Sequence, residues 1–250
     1  MHSLFPCRLI VDSAAAGTWQ MAVDETLLES AAERGSASLR FYGWSEPTLS
    51  LGYFQRFGDS HGHFPSRGCP VVRRQTGGSA ILHDRELTYC LAVPVAHPLA
   101  ADATRLYLAV HEALRHVLAR LKIATTLRPT PEDTTAGEQP FLCFQRPARG
   151  DVLLGSAKVC GSAQRRRRGA ILQHGSLLLA ATPRAPELPG ILDLCDKSPD
   201  LARLIESWGI EIGEQLRLAP APGRLTEVEL DKVRTLALEK YGTAGWNERR

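Results

Sequence analysis

The sequence predicts an α+β protein built on a mixed, mostly antiparallel sheet flanked by helices. Two long stretches carry apolar residues at helical spacing. Around them lie short β-like runs joined by loops too short for crossover helices, which makes most strand pairs antiparallel. No true linker interrupts the 250 residues, so 1–250 is expected to form a single domain.

Thr18 to Arg34 reads as the first helix, with Trp19, Ala22, Val23, Leu27 and Ala31 near a 3.6-residue period and Gly35 as its stop. SLRFYGW (38–44) and TLSLGYF (48–54) follow as strands punctuated by Pro47 and Gly52. VVRR (71–74) enters a turn at Thr76-Gly77-Gly78, and ILHD leads on to LTYCLAV (87–93). A second helix over 102–122 places Leu106, Val110, Ala113, Leu114, Val117 and Leu121 on one stripe. PTPEDTTAGEQP (129–140) is a loop by composition. DVLLGS (151–156), KVCGSAQ (158–164) and AILQHGSLLLA (170–180) read as strands, with Arg165–Gly169 as a cationic hairpin tip. A proline-rich crossing then precedes a short amphipathic helix at 200–208. Thr226-Glu227-Val228-Glu229 has capping-box spacing for a last helix through Lys240, closed at Gly242.

Thirty Lys and Arg against 27 Asp and Glu leave a formal charge of +3, too near neutral for a nucleic-acid coat or a membrane-surface protein. No run approaches the roughly 18 apolar residues of a membrane span, and the first residues have no secretory character. The six cysteines, at 7, 69, 90, 143, 160 and 195, contain no C-x-x-C pair for metal or redox work. They are expected to be reduced thiols of a cytoplasmic protein.

Three patches are candidates for chemistry. The first is Arg73-Arg74-Gln75-Thr76-Gly77-Gly78-Ser79-Ala80, followed by the polar pair His83-Asp84. It reads either as a plain turn or as a bare backbone on which a ligand lies while an arginine faces its polar head. The second is Lys158-Val159-Cys160-Gly161-Ser162-Ala163-Gln164. A lysine inside a strand is costly unless it meets an anion, and Gly161, Ser162 and Ala163 let an apolar ligand pass close; an edge lysine guarding against aggregation is the competing reading. The third is His174-Gly175, a polar notch in an apolar strand, which also fits a hydrogen-bonded core histidine.

WQMAVDETLL (19–28), LRFYGWSEPTLSLGYFQ (39–55), VVRRQTGGSAILHDRELTY (71–89) and KVCGSAQRRRRGAILQHGSLLL (158–179) resemble the successive signatures of the biotin/lipoate protein ligase superfamily, within its lipoate-ligase-like branch. The likeness extends over about residues 20–240. It implies a fold similar to the class II synthetase and biotin-ligase catalytic domain. It also implies a tunnel for an eight-carbon acyl chain, and transfer of that chain to a lysine of a lipoyl domain. Arg73, Gly77, Gly78, His83, Gly161, Ser162, Ala163, His174 and Gly175 match the family's substrate-pocket motifs. Ser79 stands where the family usually shows a third glycine.

Two activities share this scaffold. Ligases activate free lipoate with ATP, whereas octanoyltransferases take octanoyl from acyl carrier protein through a cysteine thioester and need no cofactor. Cys143-Phe144 stands where ligase-like octanoyltransferases carry their nucleophile, 158 − 143 = 15 residues before Lys158. The expected reaction is octanoyl transfer from acyl carrier protein to a lipoyl domain of glycine-cleavage H protein or a 2-oxoacid dehydrogenase E2, in lipoate biosynthesis. Cys143 would be the nucleophile and Lys158 its activator and, with backbone N–H groups of Gly161–Ala163, its oxyanion partner. Cys160, two residues from Lys158 on a strand, is a rival nucleophile. The Arg165–Arg168 run reads as a solvated tip or as a dock for an acidic carrier, with nucleic acid disfavoured. An ATP-dependent lipoate ligase, an amidotransferase between carrier domains and a non-catalytic acyl-binding protein are the competing readings.

Overall fold

A computed structural model describes residues 4–129, 140–167 and 169–249; most of the expected loop at 129–140, and Arg168, lie outside them. In chain order the strands are β1 (Phe5–Val11), β2 (Ala37–Tyr42), β3 (Thr48–Leu51), β4 (Val71–Arg73), β5 (Ile81–His83), β6 (Glu86–Pro94), β7 (Thr126–Leu127), β8 (Val152–Leu154), β9 (Ala157–Arg167), β10 (Ala170–Leu178) and β11 (Leu218–Pro222). The helices are α1 (Gly17–Arg34), α2 (Ala103–Arg120), α3 (Ile191–Leu194), α4 (Leu201–Leu216), α5 (Glu227–Leu236) and α6 (Ala244–Asn247).

Eight strands form one sheet in the order β11-β1-β2-β6-β10-β9-β8-β7, and β4-β3-β5 form a small second sheet. From β2 to β7 every pair in the large sheet is antiparallel, as expected. At the other end β1 runs parallel to both β2 and β11; β1 and β11 are the strands that the sequence pattern did not reveal. The β1–α1–β2 connection supplies the crossover that parallel pairing requires. β11 reads LAPAP, and its two prolines are tolerated because it is an edge strand.

Alternation along the strands splits the core into two layers. Tyr89, Leu91 and Val93 of β6 face α2 and α4, packing with Leu106, Val110, Leu114 and Trp208. Cys90 and Ala92 face α1 and α5, among Val23, Leu27 and Val233. The predicted stripe of α2 is buried from Leu106 to Val117, whereas Leu121 lies past the helix end and is exposed; Asp102 caps the helix by accepting from Arg105 N at 3.0 Å. The capping box of α5 forms, with Thr226 Oγ1 accepting from Glu229 N at 3.3 Å and Glu229 accepting from Thr226 N at 2.8 Å. Between Leu236 and Gly242 the helix widens into a π turn.

A third apolar cluster lies under the small sheet and joins Leu49, Ala80 and Leu82 to Leu142, Phe144 and Leu178. It seats the segment around Cys143 against the glycine loop that follows β4. Ala80 N donates to Phe141 O at 3.0 Å and Cys143 N donates to Ala80 O at 2.8 Å.

Candidate active site

Cys143 opens a single 3-10 turn, Cys143–Gln145, and is partly exposed. Lys158 Nζ lies 3.5 Å from its Sγ and 3.4 Å from its backbone oxygen. The ammonium is buried, with a side-chain exposure of 2%. Asp151 holds it through Oδ2 at 2.9 Å. Asp151 is itself fixed by Tyr107, whose hydroxyl donates to Oδ1 at 2.5 Å, and by Ala148 N, which donates to Oδ2 at 2.5 Å. Burial alone would push the lysine pKa down, but the Cys143 sulfur and the Asp151 carboxylate outweigh it and hold it above the ordinary lysine value. Lys158 is therefore an ammonium at neutral pH, suited to stabilise negative charge rather than to act as a base.

A register shift aims this lysine. Val152 and Leu153 of β8 are consecutive, yet they pair with Cys160 and Lys158 of β9, so β9 holds one extra residue as a β-bulge. The bulge breaks the alternation that would turn Lys158 and Cys160 the same way. Lys158 shares a face with Gly161, where an added Cβ would lie 2.2 Å from Lys158 Cε and 2.6 Å from Nζ. Gly161 thus makes room for the ammonium rather than for a ligand. Cys160 is fully buried in the α2-side core, where burial drives its thiol far above the ordinary range. The rival nucleophile is sealed from substrate.

The glycine loop corrects a second expectation. Arg73 faces no open space: it is fully buried and donates to the carbonyls of Gly52 (2.9 Å), Gln55 (2.7 Å) and Asn247 (2.9 Å). Arg74 is the arginine under the loop, donating to Gly77 O at 2.8 Å and Ser79 O at 2.7 Å. Gly78 turns at φ +89°, and its oxygen would lie 1.8 Å from a Cβ placed on Gly52, so both positions need glycine. Burial pushes the Arg74 pKa down to about 10, with charge on Cys143 acting to raise it and Arg73 to lower it. Arg74 remains charged at neutral pH.

Both nominated histidines lie on hydrogen-bond relays that meet at Arg74. Arg74 Nε donates to Thr76 Oγ1 (3.1 Å), Thr76 to His174 Nε2 (2.7 Å), and His174 Nδ1–H to Asp24 (2.9 Å). Arg74 Nη1 donates to Ser50 Oγ (3.2 Å), Ser50 to His83 Nε2 (2.8 Å), and His83 Nδ1–H to Glu86 (2.6 Å). These tautomers follow from the donors and acceptors at each end. Asp24 also pairs with Arg40 at 3.0 Å; burial raises its pKa, but His174 and Arg40 bring it below the usual carboxylate range. His83, Ala163, His174, Gly175 and Arg74 line a common cavity of about 20 Å³, room for about one water. An eight-carbon chain enters only if these walls part. A much larger cavity, about 680 Å³ beside His97 and Arg105, is lined by none of the expected site residues.

The amides of Gly161–Ala163 are not all free for an oxyanion. Ser162 N donates to Tyr107 Oη at 3.1 Å. The Ser162 side chain sits in a separate chain: Gln173 donates to Tyr89 (2.6 Å), Tyr89 to Ser162 (2.7 Å), Ser162 to His111 Nε2 (2.6 Å), and His111 Nδ1–H to Gly150 O (2.7 Å). Burial lowers the His111 pKa to about 4. Nor is the arginine run a loose tip. Arg165–Arg167 belong to β9, where Arg167 pairs with Glu25 at 2.9 Å and Arg166 donates to Ala100 O. Sequence reasoning placed the family match on Arg73 rather than on its neighbour Arg74, and it missed Asp151, Tyr107 and His111. Tyr107 and His111 carry a legible signal, since polar residues at i and i+4 border the buried stripe of α2.

Among the described residues no group of three or more His, Cys, Asp or Glu is placed to hold a metal ion. No described helix is long and apolar enough to cross a membrane. Comparison with known proteins places the lipoyl protein ligase A/B catalytic domain on residues 17–188, which takes in the glycine loop, Cys143 and Lys158. The chain belongs to the lipoyl protein ligase A/B catalytic domain family. It is 34% identical to octanoyltransferase LipM of Kyrpidia tusciae, over 97% of this chain and 98% of that one. It is 33% identical to octanoyltransferase LipM of Bacillus subtilis, over the same shares. These relatives make it an acyl-transferring enzyme. Its fold is that of a lipoate-protein ligase A solved with ATP bound (TM-score 0.76, 23% identity, 97% and 98% of the two chains). It also matches a bipartite lipoate protein ligase of Thermoplasma acidophilum (TM-score 0.76, 22% identity, 98% and 96% of the two chains).

Proposed function

We propose that this chain is an octanoyl-[acyl carrier protein]:protein N-octanoyltransferase that works through a thioester on Cys143. The observation that carries the proposal is the 3.5 Å approach of a buried ammonium to a partly exposed sulfur. The sulfur attacks the carbonyl carbon of the carrier-bound octanoyl thioester, and the carrier thiol leaves with a proton. One thioester replaces another, so this half-reaction is close to balanced. The neutral amine of a lipoyl-domain lysine, in an H protein or an E2, then attacks the acyl-enzyme. Its proton leaves, the amide forms, and Cys143 is released as the thiolate that Lys158 stabilises. Amide formation from a thioester runs downhill, so no nucleotide enters either step. Asp151 and Tyr107 keep the ammonium in place.

The test is intact-mass measurement after incubation with octanoyl carrier protein. Wild type and Cys160→Ala should each gain one octanoyl group, and Cys143→Ala none. Wild-type transfer by Cys143→Ala would refute the thioester mechanism, and pyrophosphate release with free lipoate, independent of Cys143, would overturn the reading in favour of a ligase. Acylation from octanoylated H protein but not from carrier protein would reassign the donor.

A further inference from the structure

Arg165 differs from its neighbours in the arginine run. Arg166 and Arg167 are engaged by Ala100 O and Glu25, whereas the Arg165 guanidinium lies 5.0 Å over the ring of Tyr53. Arg249, from the far end of the chain, meets the same ring at 3.9 Å and Trp246 at 4.0 Å. Among the described residues neither arginine has a carboxylate partner, and the Nε atom of each is buried without a hydrogen-bond acceptor. Two like charges converge on one ring, each with an unused Nε donor, and Arg249 Nη2 donates to Tyr53 O at 3.4 Å. Aromatic faces lower the cost of holding them there, but the orphaned N–H groups remain uncompensated. An anion reaching both forks would satisfy donors and charge together.

The patch adjoins the glycine loop. Tyr53 N donates to Thr76 O at 2.8 Å, and the neighbouring Phe54, 65% exposed, borders Gly77. The Lys158 ammonium packs over Gly161, and Arg165 lies four residues further along β9 on the same face, about 13 Å away at roughly 3.3 Å per residue. A carrier-bound acyl group hangs from a phosphopantetheine arm. The run from its sulfur to its phosphate spans roughly 15 Å when extended, at about 1.15 Å per backbone-like bond. The two lengths agree.

Resting on the transferase reading above, we propose that Arg165 and Arg249, braced on Tyr53, form a binding site for the phosphate ester of the acyl donor's arm while its thioester lies at Cys143. The site selects for donors that carry a phosphate at that distance from the acyl group.

Octanoyl-4′-phosphopantetheine and octanoyl-pantetheine differ only in this phosphate, so acylation of Cys143 by each, followed by intact mass, isolates the site. Wild type should show a KM about ten-fold lower for the phosphorylated donor, with the gap narrowing as salt is raised. The double variant Arg165→Gln/Arg249→Gln should bring the two donors within about two-fold of each other. Arg165→Lys/Arg249→Lys should keep part of the preference, because charge survives without the fork. Equal use of both donors by wild type, or a preference undiminished in the glutamine variant, overturns the phosphate site alone. Acylation by octanoyl carrier protein but by neither free donor overturns the phosphate site alone, and acylation by none of the three overturns the transferase reading and this site with it.

Discussion

The placement of Lys158 over Gly161 makes Gly161→Ala the sharpest test of the site. A methyl group there would sit 2.2 Å from Lys158 Cε, 2.6 Å from Nζ and 3.2 Å from Asp151 Oδ1, so the lysine must withdraw. At an effective dielectric of about 20, an ammonium and a thiolate 3.5 Å apart attract by about 4.7 kcal/mol. At about 5.5 Å the attraction falls to about 3 kcal/mol. The loss of about 1.7 kcal/mol corresponds to about 20-fold in the acylation rate if it is felt fully in the transition state. The assay is the rate of octanoyl addition to Cys143, with Gly245→Ala as the control because nothing lies within 4 Å of a Cβ at that position. The melting temperature should also fall, since withdrawal stretches the buried Lys158–Asp151 pair, so the rates are compared at a temperature where both proteins are folded. Gly161→Ala acylating at the wild-type rate would refute the claim that this ammonium activates the sulfur.

Other outcomes follow from the same geometry. Gly52→Ala forces a Cβ to within 1.8 Å of Gly78 O and should displace the glycine loop, abolishing acylation while the far-ultraviolet circular dichroism is retained. Arg73→Ala leaves the carbonyls of Gly52, Gln55 and Asn247 without a buried donor and should cost about 3 kcal/mol or more in urea unfolding. Burial depresses the folded pKa of His111 to about 4, below the ordinary imidazole value of about 6.5, so the unfolded chain binds the extra proton. Its contribution to stability is therefore present above pH 6.5 and is lost as pH falls toward 4, by about 3 kcal/mol in all. Glu229, held down to about 2 chiefly by Arg8 and Ser30 against the upward push of burial, adds to acid sensitivity below its unfolded pKa. His111→Gln should flatten the limb between pH 6.5 and 4 in urea-unfolding midpoints.

The helices α1 and α2, the antiparallel run from β6 to β10, the capping box of α5 and the Cys143–Lys158 pairing were all legible in the chain. Each rests on local periodicity or a cap, save the Cys143–Lys158 pairing, which the family resemblance implied. β1 and β11 were not, because Pro6, Pro220 and Pro222 disguise strands that pairing at the sheet's parallel end stabilises. The choice between Arg73 and Arg74 was beyond sequence as well: adjacent arginines look alike until one meets Asn247, 174 residues away, and the other the glycine loop.

What the sequence alone determined was the inventory: one thiol next to Phe144, one lysine among small residues, a glycine loop and two histidines in strands. The tertiary structure decided their allegiance. A single extra residue in β9 turned Lys158 toward Cys143 and sent Cys160 into the core. Side-chain direction in a strand depends on its register against its neighbour, and register is a property of the assembled sheet.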